Sequence, residues 1–243
     1  MKLWQKILCT IGIVAVCTFA LVMCLMPRRN NNLATCKQLV VVITDSTRIS
    51  YVKGQDIHKY IVKGGYNPIG KTMSEINYHQ IEQYVCSHSM VESAECFPTT
   101  KGQVYVNIVQ RTPKYRVAGE KNYYVDHNRQ IMPVTSTTAA YVPVATGRIS
   151  ERMAKEELFD FVCWIEDNDF WNAQIEQICI NQQFEAELIP RVGSGKILLG
   201  KLTDDYAQRL DKLMHLYKDG FQKNGWKEYQ EIDLRFDGQV ICR

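Results

Sequence analysis

Ser50-Tyr51-Val52-Lys53 carries the S-x-x-K spacing of the serine nucleophile in penicillin-interacting wall enzymes. Only two positions of that pattern are fixed. The companion K-T-G and S-D-N motifs are absent, and the serine falls just ahead of the first helix of a small domain. Gly193-Ser194-Gly195-Lys196 suggests a phosphate loop, but Pro190 stands where the first glycine belongs and Ile197 replaces the required Ser or Thr. It reads as a hairpin turn ahead of Ile197-Leu198-Leu199. His58, His79, His88, His127 and His215 fall in no metal-ligand pattern. Glu156-Glu157 and Asp204-Asp205 suit the first turns of helices, beside the positive dipole end. Cys36, Cys86, Cys96, Cys163, Cys179 and Cys242 lack paired CxxC spacing and read as small core side chains, with Cys86 and Cys96 the pair to test for a bridge. No enzyme, metal site or cofactor is expected from these residues.

The elements that would position any site begin with an anchor. Ile7 to Met26 is twenty residues without a charge, ten of them Leu, Ile, Val or Phe. A helix that long spans about 30 Å, the thickness of a bilayer's hydrocarbon core. The exit, Cys24-Leu25-Met26-Pro27-Arg28, has no small-x-small cleavage site, and Met23 disfavours lipoprotein processing at Cys24. The expectation is an uncleaved span over 7–26, a cytoplasmic head over 1–6, and an exported body. Four basic residues (Lys2, Lys6, Arg28, Arg29) and no acidic ones flank or precede residue 32, so of 29 Lys+Arg and 26 Asp+Glu the body keeps 25 and 26. It has no basic excess for nucleic acid, and no small-molecule substrate is implied.

In the body, Leu39–Ile43 is a β-branched run expected to be covered on both faces. Ile57, Tyr60 and Ile61 recur at helical spacing before Gly64-Gly65, and Asn77 with Gln80 caps a second helix. Val91–Phe97 and the alternating Val104, Val106 and Ile108 make two strands about a turn at Thr99–Gly102. That β-α-α-β-β order over 36–113 describes a POTRA-type module, with Pro113 ending its last strand. From 114 to 243 the pattern predicts a larger α+β domain with an antiparallel-rich sheet. Its strands are expected at Tyr123–Asp126, Ile131–Val134, Tyr141–Val144, Ile175–Asn181, Phe184–Pro190, Lys196–Leu199 and Glu231–Arg243, the last as one long strand bulged at Gly238 in preference to a hairpin about Asp237-Gly238, whose two arms of five residues would make a marginal pair. Its helices are expected at Glu151–Asp167 and Asp204–Phe221.

Several short stretches, in order, resemble the bacterial cell-division FtsQ/DivIB family. They are Gln110-Arg111-Thr112-Pro113; Tyr124-Val125-Asp126 with Met132-Pro133; Val142-Pro143-Val144 with Gly147; Leu198-Leu199-Gly200 ahead of Lys212-Leu213; and Trp226, Tyr229, Ile232-Asp233-Leu234-Arg235-Phe236 with Gln239-Val240. Arg129 departs from the hairpin glycine of relatives, and Asn128 beside it is expected to supply the left-handed residue. The resemblance implies a non-enzymatic, single-pass scaffold of the inner membrane at the division site. It implies binding to FtsB- and FtsL-like partners and help in controlling the septal wall synthases. It further implies that the final strand is a sheet edge accepting a partner strand. Phe236, Gln239, Val240, Ile241 and Cys242 are then the expected contacts, about half of them turned to the domain's own core, with Asp233 and Arg235 steering. The competing functions are a wall enzyme using Ser50 and a POTRA protein of envelope assembly or secretion.

Overall fold

The computed structural model describes residues 13, 15–23, 34–44, 50–134, 139–192, 195–203, 205–220 and 229–243. Residues 15–23 are helical with exposed side chains, and half of the 7–26 run lies outside the described residues, as does the whole of the head. Among the described residues no helix is long and apolar enough to cross a membrane.

The first module follows the expected order: β1 (Gln38–Ile43), α1 (Gly54–Lys63), α2 (Tyr78–Cys86), β2 (Val91–Pro98) and β3 (Gln103–Gln110), with a short 3-10 turn at Met73–Glu75. The Asn77 side chain accepts the Gln80 N–H at 3.1 Å and so starts α2. Beyond α1, Gly65 takes a left-handed φ of 83° that a side chain would resist. β3 is central, parallel to β1 and antiparallel to β2. Val104, Val106 and Ile108 are fully buried against Ile57, Ile61, Ile81 and Val85 of the helices. The expectation that β1 is covered on both faces is overturned by its outer face, where Val42 is 39% exposed while Leu39 on the other face is buried. Cys86 and Cys96 are free thiols, and burial pushes Cys96 up to about 12.

The second module adds what the pattern missed. Pro113 does not end a strand but opens one, β4 (Pro113–Ala118), at a first position where its missing N–H costs no ladder bond. β5 (Tyr123–Asp126), β6 (Ile131–Pro133), β7 (Val144–Gly147), β8 (Ile175–Ile180), β9 (Ala186–Pro190), β10 (Lys196–Gly200), β11 (Glu231–Asp233) and β12 (Ile241–Cys242) complete a sheet ordered β12-β11-β10-β9-β8-β7-β4-β5-β6. β7 lies three residues later than predicted, leaving Tyr141 93% exposed. The single helix expected over Glu151–Asp167 is broken at Glu156 (φ −112°, ψ −100°) into α3 (Glu151–Lys155) and α4 (Glu157–Glu166), and α5 (Asp169–Gln174) follows. The stripe on α6 (Tyr206–His215) buries Leu210 and Leu213, and a π-helical turn, Leu216–Gly220, extends it to seat Tyr217.

Register explains why one face is the core. Tyr123, Val117, Ala145, Ile178, Leu188, Ile197, Ile232 and Cys242 are paired neighbours in one row across eight strands. All but Cys242 are at most 7% exposed, packed with Leu158, Phe161, Leu210 and Leu213 from the helices. Each such aliphatic burial is worth about 1.5 to 3 kcal/mol.

The modules are joined by more than the chain. Tyr124 and Met132 belong to the hydrophobic cluster of the first module. Arg111 reaches across to Asp126, Nη1 to Oδ2 at 2.7 Å, with the carboxylate fully buried. Arg129, not Asn128, takes the left-handed residue of the β5–β6 turn, at φ 60°. The local cost, about 1 to 2 kcal/mol, is offset because its guanidinium donates to Lys155 O (2.8 Å) and Asp160 (2.6 Å) and covers the Phe159 ring.

Candidate functional site

The terminal segment is not one bulged strand. β11 and β12 form an antiparallel pair joined by residues 234–240, with Ile232 opposite Cys242 and Asp233 opposite Ile241. Gly238 bends the connection at φ 69° in open space. The hairpin forms because β11 is held on its other side by β10, in parallel register, and Leu234 N–H continues that contact to Leu198 O at 2.9 Å. β11 is therefore fully flanked. β12 is not: among the described residues it ends the sheet with β11 as its neighbour.

Alternation sets which groups face outward. Arg243 and Glu231 exchange both main-chain hydrogen bonds, at 2.9 and 3.1 Å. The intervening peptide groups, those of Cys242 and by the same alternation Val240, point away from β11. Their side chains pack against the core, whereas that of half-buried Ile241 turns to the opposite face of the sheet. Phe236 is 42% exposed and Gln239 is exposed. Val240 and Cys242 thus offer backbone, and Phe236, Gln239 and Ile241 offer side chains.

The two expected steering charges behave differently. Asp233 is 1% exposed, so it does not sit at a rim. Arg235 donates Nε to Asp233 Oδ1 (2.9 Å), Nη2 to Oδ2 (2.7 Å) and Nη1 to Glu185 Oε2 (3.0 Å). Hydrogen bonds from the Arg235 side chain hold the Asp233 carboxyl below its usual range. The pair fixes the bend after β11; what remains for steering is the exposed rim of Arg235. A carboxyl whose pKa falls on folding stabilises the fold above its unfolded value, about 3.9, and that contribution is lost as pH drops through the lowered value. Urea unfolding from pH 7 to pH 2 is therefore expected to show a steeper acid loss for the native chain than for Asp233→Asn. At pH 7 that variant should be weaker by about 1.5 kcal/mol.

Three further residues complete the site. Lys212 on α6 donates to Phe236 O at 2.8 Å, Arg209 donates to Leu199 O at 2.7 Å, and Glu185 completes the Arg235 cluster. Lys212 entered the sequence reading only within a family stretch and Arg209 and Glu185 not at all, because two of the contacts end on backbone carbonyls and the third joins residues fifty apart.

The chemically suggestive motifs do not assemble. The Ser50 hydroxyl donates to Val52 O at 2.7 Å, and Lys53 is the exposed N-cap position of α1. Gly193 and Ser194 lie outside the described residues. Among the described residues no group of three His, Cys, Asp or Glu is placed to hold a metal.

Two family models match the chain: one described as FtsQ/DivIB, C-terminal related, over residues 112–243, and one described as a POTRA-like domain, over residues 34–109. The Cell division protein FtsQ of Geotalea daltonii is 24% identical over 166 residues, which cover 64% of this chain and 58% of that protein. The chain thus spans less than two thirds of the length of that relative.

Proposed function

Because this chain belongs to the FtsQ/DivIB family, we propose that it is a non-enzymatic scaffold of the bacterial division machinery that accepts a strand from an FtsB-like protein along β12. The observation that carries the proposal is the position of β12, last in the sheet with no strand beyond it among the described residues. An open edge supplies donors and acceptors in the spacing an incoming backbone needs, and flanking side chains set the specificity. Here the outward peptide groups of Val240 and Cys242 hold the partner's main chain, while Ile241, Phe236 and Gln239 read its side chains. Arg235 contributes charge at the rim, and Asp233 locks the bend. An FtsL-like coiled-coil protein joins through its pairing with the first partner, and the assembly acts on the septal wall synthases. The apolar run over 7–26 anchors the scaffold in the inner membrane with residues 1–6 in the cytoplasm.

The test is photocrosslinking in dividing cells. A photoreactive amino acid at Ile241 or Gln239 of the full-length protein is expected to capture a small single-pass coiled-coil protein. The same probe at Tyr141, on a distant exposed loop, should not. Equal capture from all three positions, or none at the two terminal ones, would remove β12 as the binding edge.

A further inference from the structure

The chain enters the first module between two loops, and that end of the module is cationic. Residues 34–37 are held on one side by the 70–73 loop and on the other by the 99–102 turn. Met73 N–H donates to Ala34 O at 2.9 Å, Cys36 N–H to Lys71 O at 2.8 Å, and Lys37 N–H to Gly102 O at 2.8 Å. These bonds gather Lys37, Lys71 and Lys101 at one end of the β1-β3-β2 sheet, and all three are exposed. Lys114, Lys121 and Lys196 of the second module are each ion-paired. The three at this end have no carboxylate partner among the described residues. Glu75, the acid beside them, instead accepts the Thr72 N–H at 3.2 Å.

A tight turn at the same end carries an apolar crest. Lys71 N–H donates to Pro68 O at 3.1 Å, and Gly70, at φ 86°, supplies the left-handed residue that a type II turn needs at its third position. Pro68 is buried and seats the base of the turn, while Ile69 at its crest is 43% exposed. The Asn67 carboxamide accepts the Ile69 N–H at 3.1 Å, and Gly70 N–H donates to Cys36 O at 2.9 Å, so the crest is fixed against the entering chain. An exposed aliphatic side chain beside unpaired lysines suits the boundary layer of a bilayer. There the aliphatic group meets acyl chains while the ammonium groups meet phosphates.

The cluster's place along the chain says which bilayer. Seven residues, 27–33, separate the apolar 7–26 run from Ala34. Fully extended, they keep the entry end within about 30 Å of that run. We propose that this end of the first module docks on the anionic headgroups of the membrane that holds its own anchor, with Lys37, Lys71 and Lys101 against lipid phosphates and Ile69 wedged between them. The inference rests on the reading of 7–26 as the anchor and is independent of β12. A tether this short keeps the local concentration of headgroups high, so three modest contacts suffice to orient the module.

The test uses the full-length protein in lipid nanodiscs of phosphatidylcholine, alone or mixed with phosphatidylglycerol, with a spin-labelled lipid as quencher. A genetically encoded fluorescent amino acid replaces Thr100, in the turn beside Lys37, or Val109, about 20 Å further along β3; both positions are exposed. Quenching at position 100 is expected to exceed that at 109 and to rise with phosphatidylglycerol. Each of Lys37→Gln, Lys71→Gln and Lys101→Gln should lower the docked-to-undocked ratio about fivefold at low salt, an effect that fades as salt rises. Ile69→Ser should lower the ratio at any salt concentration. All four side chains are exposed, so the melting temperature should hold in every variant. Equal quenching at the two positions, or quenching at 100 indifferent to phosphatidylglycerol, overturns the proposal and leaves the anchor in place. So does a full-strength signal in the triple lysine variant or in Ile69→Ser. A chain that separates from the nanodiscs on size exclusion overturns anchor and docking together.

Discussion

Val240→Pro is expected to weaken capture of the strand-donating partner about a hundredfold, near 2.7 kcal/mol, while the chain stays folded. The residue precedes β12, and its N–H points away from β11, so proline there breaks no hydrogen bond of the hairpin. It does delete a donor from the open edge. A partner carbonyl then enters the interface unpaired, at about 1 to 3 kcal/mol, and the ring thrusts toward the incoming chain. The Val240 side chain also packs on the core, so a matched Val240→Ala variant supplies the packing loss alone. Calorimetric titration of the purified partner against both variants, with melting curves for each, separates the two effects. Binding by a folded Val240→Pro protein at native strength would mean that recognition runs through side chains such as Phe236 and not through the strand edge.

Asp126→Ala is expected to cost about 3 to 5 kcal/mol of stability, the range found when one member of a buried ion pair is removed. In a protein of this size that lowers the melting temperature by roughly 10 °C. One carboxylate serves three donors: Asn128 N–H at 2.9 Å, Gln130 N–H at 2.6 Å and the Arg111 guanidinium at 2.7 Å. The first two shape the β5–β6 turn, and the third ties that turn to the end of β3. Arg111→Ala alone should also be strongly destabilising, since it strands a fully buried carboxylate. The double variant should cost less than the sum. Additive losses in denaturant unfolding would show that the pair is not a coupled unit.

How much of this was legible in the sequence depended on whether the signal was local. The first module read out well because Val104, Val106 and Ile108 alternate without interruption and Asn77 carries its own cap. β4 was illegible because proline at a strand's first residue looks the same as proline that ends one. The break at Glu156 was hidden by an apolar stripe that continues from α3 into α4. The turn at Arg129 could not be read because contacts to Lys155, Asp160 and Phe159, far along the chain, outweigh its backbone preference. The terminal site was half visible. Its position at the chain's last strand came from the family resemblance, and the alternation of Val240, Ile241 and Cys242 set which of them face the core. Asp237-Gly238 did signal a turn, but a hairpin with such short arms is marginal alone, and the pairing of β11 with β10 that supports the split into β11 and β12 is encoded in no local pattern.

The shared cluster of Tyr124 and Met132 and the Arg111–Asp126 clasp make the two modules one frame. That frame works as a ruler. Two ligands tethered to each other, one on each module, would gain avidity only if their linker matched the fixed spacing of the modules, since effective concentration collapses when a tether falls short and decays as it grows slack. Loosening the clasp would therefore blunt selectivity among tethered pairs of ligands while leaving the grip on each separate ligand intact.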